Sequence, residues 1–63
     1  MIIKVTDKGS KLYPITYVRM EAVIYMYGNE NGTTLVFNET HSLYVEETIE
    51  QINSMLPGGI HEH

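Results

Sequence analysis

The stretch YVEETIEQINSML, Tyr44 to Leu56, decides how this chain is read. Thr48 is followed three residues later by Gln51, a capping-box pair placed just ahead of an apolar series. That series, Ile49, Ile52, Met55 and Leu56, lies on one helical stripe. Glu50, Gln51, Asn53 and Ser54 occupy the other side, and Glu46, Glu47 and Glu50 complement the positive end of the helix dipole. Pro57-Gly58-Gly59 stops the helix. It has only about two and a half turns, roughly 13 Å, which is too short to persist alone in water. Its stripe therefore needs a sheet to lie on, and the residues just before it, SLYV (Ser42 to Val45), read as the closing strand of that sheet, with Leu43 and Val45 inward.

Working outward, MIIKVTD is a first strand, rich in β-branched residues, and DKGS (Asp7 to Ser10) is turn chemistry. KLYPIT returns as a short second strand that Pro14 confines to an edge or terminates. YVRMEAVIYMY, Tyr17 to Tyr27, favours strand through its aromatic and β-branched content, most firmly from Ala22 to Tyr27, with a two-turn helix around Val18 to Val23 as the competing reading. As a strand it carries Val18, Met20, Ala22, Ile24 and Met26 on one face. Tyr17, Arg19, Glu21, Val23, Tyr25 and Tyr27 are on the other. GNENG (Gly28 to Gly32) and NETH (Asn38 to His41) are hairpin turns flanking the strand TTLVF. The expected fold is α+β: a small antiparallel β-meander of four to five strands with one C-terminal α-helix packed on one face. Residues 1–57 form the single mini-domain and 58–63 a flexible tail.

Sixty-three residues without cysteine leave neither disulfides nor thiolate zinc to reinforce a small core, so compact packing and oligomerisation are the remaining means. No apolar run approaches the roughly 18 residues of a membrane span, and Lys4 and Asp7 interrupt any signal-peptide core. These features predict a cytoplasmic protein. Eight acidic residues against four basic ones give a net charge of −4. The cations Lys4, Lys8, Lys11 and Arg19 are a poor footprint for phosphate backbones, which disfavours nucleic acid.

Candidate chemistry is sparse. His61 and His63 are two residues apart at the chain end, spaced to share a divalent ion in extended backbone but placed where termini fray, and His41 sits in a turn. No metal site, cofactor or catalytic residue is expected. GNENG lacks the lysine and helix of a phosphate loop. The glutamates at 46, 47 and 50 are accounted for by the helix N-terminus. The sequons at Asn31 and Asn38 read as turn chemistry. The chain is not expected to be an enzyme.

A single short helix covers about half of such a sheet. Val23, Tyr25, Tyr27, Val36 and Tyr44 then fall on the uncovered face, and an apolar-aromatic patch of that kind marks a partner. The expected role is a small intracellular adaptor or regulator that contacts another protein through Tyr25, Tyr27, Val36 and Tyr44, and that self-associates as a homo-oligomer. The alternative is a phage-type oligomer that inhibits a host or defence protein or binds a small anionic ligand through Lys11 and Arg19.

The residues MIIKVT, NGTTLVF and LYVEETIEQI, in that order, resemble the FlbD family of small flagellar and swarming-motility proteins. The resemblance spans most of residues 1 to 53. The Tyr- and Met-rich segment from Tyr17 to Tyr27 and the tail PGGIHEH depart from it. It implies a non-enzymatic accessory protein in bacteria.

Overall fold

The structure is a computed structural model that describes residues 1–57. The segment 58–63, which holds the expected tail with His61 and His63, lies outside the described residues. The elements in chain order are β1 (Ile2–Thr6), β2 (Ile15–Arg19), a 3₁₀ turn (Met20–Ala22), β3 (Tyr25–Asn29), β4 (Gly32–Asn38), β5 (His41–Val45) and α1 (Ile49–Met55). The α+β class expected from the sequence is the one observed. The five strands divide into two antiparallel sheets, β1-β2 and β3-β4-β5.

The division falls inside the segment expected as one long strand. Tyr17 to Tyr27 is instead two strand pieces joined by the 3₁₀ turn, in which the Val23 N–H donates to the Met20 carbonyl at 3.1 Å. Met20 and Val23 both pack against the core. Their spacing of three is that of a turn, since strand residues on one face are two apart. The alternation restarts beyond the turn, so Ile24, expected inward with Val18 and Met26, is 67% exposed. The second strand also begins later than KLYPIT suggests. Pro14 has no N–H to contribute to a ladder, β2 starts at the next residue, and Leu12 and Tyr13 are left exposed in the connection.

The two sheets meet at one corner. Asp7 bridges Val45, the Lys8 N–H donates to the Tyr44 carbonyl, and the Glu46 N–H donates to the Thr6 carbonyl, both at 2.9 Å. Side chains reinforce the joint. The Glu47 carboxylate accepts from the Thr6 N–H and hydroxyl, while the Glu47 carbonyl accepts from the Thr33 hydroxyl at 2.7 Å. Thr33 is fully buried, so its hydroxyl needs that partner.

Between the sheets lie Ile3, Val5, Val18, Leu35 and Val45, closed by Ile52 from α1. Leu35 and Val45 are inner-face residues of the larger sheet and Ile52 is fully buried with them. The capping box is present: Thr48 accepts from the Gln51 N–H, and the Gln51 side chain accepts from the Thr48 N–H. Gly32, with φ of 152°, is the glycine the hairpin requires. A side chain there would run into the Val45 carbonyl oxygen of the neighbouring strand.

Candidate protein-contact face

The β1-β2 sheet and α1 together cover the inner face of β3-β4-β5 and leave the outer face open. Strand register sets two rows on that face. Tyr25 lies opposite Val36, which lies opposite Ser42; Tyr27 lies opposite Thr34, which lies opposite Tyr44. The four contact residues named from the sequence, Tyr25, Tyr27, Val36 and Tyr44, therefore share one surface, whereas Val23, expected beside them, packs against the core. Tyr25 and Tyr27 are both 57% exposed and Tyr44 43%, while Val36 is half-buried between its neighbours. The Tyr25 and Tyr27 rings stack with centroids 6.2 Å apart at 24°, as side chains two apart on one strand allow.

One end of the face is a shallow groove of about 370 Å³ lined by Ile24, Tyr25, Tyr27 and Val36 and rimmed by the Asn38-to-Ser42 hairpin. That hairpin is held by Asn38, whose side-chain oxygen accepts from the Thr40 N–H and hydroxyl. At the other end Lys8 places its ammonium 4.9 Å from the centre of the Tyr44 ring and donates to the Asn31 carbonyl at 3.1 Å. This cation over an aromatic face was not foreseen. Lys8 and Tyr44 are distant in sequence, and only the corner joining β1 to β5 brings them together. Ile24 was likewise missed as an exposed residue of the groove; the three-residue spacing of Met20 and Val23 was the available signal.

Of the two cations proposed for an anion, Lys11 lies in the connection before β2 and Arg19 at the far end of that strand. Arg19 lines a second groove of about 360 Å³ between the sheets, with Val18, Ala22, Phe37, Leu43 and His41. His41 sets its ring edge-on to Phe37 at 6.3 Å. Beside Arg19, Glu21 has its carboxyl held below the usual range, chiefly by a hydrogen bond from the α-amino group of Met1, then by a backbone hydrogen bond, with a smaller contribution from the Arg19 charge.

Among the described residues no three His, Cys, Asp or Glu side chains are grouped so as to hold a metal ion, and no helix is long and apolar enough to cross a membrane. No family model, curated protein or solved structure matches the chain.

Proposed function

We propose that this protein is a non-catalytic interaction protein, an adaptor or regulator that binds another protein through the outer face of β3-β4-β5 and works as a homo-oligomer. The observation that carries this reading is the clustering of Tyr25, Tyr27, Val36 and Tyr44 on a sheet face that the chain's only described helix leaves bare. Stacked tyrosines supply contact area with few torsions to freeze and keep their hydroxyls available at a wet rim. The absence of cysteine suits a reducing compartment, the cytoplasm. The resemblance to flagellar accessory proteins is consistent with a role without catalysis. The alternative, a phage-type inhibitor or anion binder, has less support, because Glu21 sits in the field of Arg19 and the groove that Arg19 lines does not include Lys11.

The test is co-purification from cells expressing the tagged chain, with the wild type and the double variant Tyr25→Ser/Tyr27→Ser compared side by side. The reading expects a specific protein that the double variant loses while remaining folded by circular dichroism. Identical co-purifying proteins from both would overturn it.

A further inference from the structure

The homo-oligomer in that reading has a second surface available to it, distinct from the tyrosine face. Among the described residues β2 is paired on one side only, with β1, and its other edge borders the open groove of about 360 Å³ against Phe37 and Leu43. Thr16, Tyr17, Val18 and Arg19 all line that groove. Side chains alternate between faces along a strand, so a lining of consecutive residues marks an edge. Edges are ordinarily guarded by charged side chains, proline, a bulge or an inward charge. β2 carries one charge, Arg19 at its end, and none of the others: Pro14 precedes it, its register with β1 is unbroken, and its inward residue Val18 is apolar and buried. Its outward residues include Ile15 at 53% and Tyr17 at 68% exposure.

Of the other three edges, β1 carries Lys4 and is joined at its end to β5 by the Asp7–Val45 bridge, and the β4-β5 pairing is broken between Val36 and Asn38; β3 is defended as well. It ends in Gly28 and Asn29, poor strand formers, and Glu30 and Glu50 flank the groove beside it. Two copies meeting there would bring like charges together.

We infer that β2 is the self-association edge, pairing antiparallel with β2 of a second copy to give a four-stranded β1-β2-β2-β1 sheet. This rests on the reading of the chain as a self-associating protein and assigns the surface. In an antiparallel twofold pair, opposed residues share a face, so the axis passes between the two copies of a single residue. The midpoint of Ile15–Arg19 is Tyr17. Tyr17 then faces Tyr17 of the second copy, Ile15 faces Arg19, and Thr16 faces Val18. No like charges oppose one another. Arg19 lies diagonal to Tyr17 of the second copy on the same face, within reach for a cation–ring contact that the twofold makes twice. The tyrosine face of the larger sheet stays free for a different protein.

The absence of cysteine makes the test clean. Opposed residues of an antiparallel pair lie roughly 4.5 to 5.5 Å apart at Cα, within disulfide reach. Tyr17→Cys is expected to give a cross-linked dimer on mild oxidation at protein concentrations where Tyr27→Cys gives none. By light scattering the wild type is expected at twice the 7.2 kDa chain mass. Tyr17→Phe keeps that mass, and Tyr17→Lys, which sets two like charges across the axis, returns it to the monomer. A wild type that stays monomeric at millimolar concentration overturns the inference. Cross-linking at Tyr27→Cys in place of Tyr17→Cys also overturns it, by moving the self-contact to the tyrosine face. The Tyr25/Tyr27 comparison reports on the other protein independently of either result.

Discussion

Thr6 and Glu47, 41 residues apart in sequence, are joined twice: the Thr6 N–H and hydroxyl both donate to the Glu47 carboxylate, at 2.9 and 3.0 Å. The Glu47 carbonyl meanwhile accepts from the buried Thr33. One residue thus ties the end of β1 to β4, at the corner where the two sheets meet. Hydrogen bonds to a charged group contribute about 1.5–3 kcal/mol each when well formed. Glu47 is only half-buried, so solvent weakens both. Glu47→Ala is expected to destabilise the fold by about 2 kcal/mol, and Glu47→Gln, which keeps an acceptor oxygen but no charge, by about half as much. Urea denaturation followed by circular dichroism measures both. Equal midpoints for Glu47→Ala and the wild type would mean that the corner is held by its backbone bonds alone.

The helix makes a second pair of comparisons. Thr48→Ala removes an N-cap hydrogen bond at an exposed site and is expected to cost about 1 kcal/mol. Ile52→Ala opens a cavity where the two sheets and α1 converge and is expected to cost about 2–5 kcal/mol. With six buried apolar side chains among the described residues, the domain has little stability in reserve. Thr48→Ala should therefore remain folded at 25 °C, and Ile52→Ala should show a substantial unfolded population without denaturant. If Thr48→Ala proved the more damaging of the two, the helix would owe its place to its cap and not to its contact with the sheets.

The ranking reflects which parts of the chain announce themselves. The helix was legible because its cap and stop are local in sequence, although of its stripe only Ile52 and Leu56 reach the core and Met55 is exposed. The strands from Tyr25 onward were legible from their alternation, which sets Tyr25, Tyr27, Val36 and Tyr44 on one face. The irregularity between Val36 and Asn38 was not, and without it the two-residue turn would set Tyr44 opposite Leu35 instead of Thr34. The break at Met20–Ala22 was not legible as strand alternation, because Arg19 and Glu21 alternate with Val18, Met20 and Ala22 as they would along a continuous strand, and what ends the strand is the need to cross from one sheet to the other. Sheet number, the Lys8–Tyr44 contact and the Thr6–Glu47 joint all depend on the β1–β5 corner, which no local pattern encodes.

The chain start offers a pH prediction. The Met1 α-amino group pairs with Glu21 and holds its carboxyl below the ordinary range. A folded-state value below the unfolded one contributes stability that is present above the unfolded value and lost as pH falls through the folded one. The loss thus belongs to the acid side, below the usual titration range of a glutamate. Glu21 is fully exposed, so the effect on stability is small, and the direct measurement is the carboxyl titration by NMR. Acetylating the amino group should move the Glu21 midpoint upward, whereas Arg19→Gln should move it less, because the amino group acts through a hydrogen bond and Arg19 only through its field. A larger effect of Arg19→Gln would reverse that order and make the guanidinium the principal partner of Glu21.

The tyrosine face yields the prediction that bears most directly on function. Tyr25 and Tyr27 are exposed and their stacking lies outside the core, so replacing them should cost no more than about 1 kcal/mol. Tyr25→Ser/Tyr27→Ser should therefore stay folded with a modestly lower urea midpoint, whereas truncating the inward neighbour, Leu35→Ala on β4, should cost about 2–5 kcal/mol. Binding to a protein that uses this face should respond in the opposite order among folded variants. An aromatic anchor at the centre of an interface contributes about 2 kcal/mol or more, so even if only one of the pair acts as an anchor the double variant should weaken binding by about thirty-fold or more at unchanged fold. A double variant that unfolded readily would instead show that the stacked rings are structural, and the face would lose its claim as a docking surface.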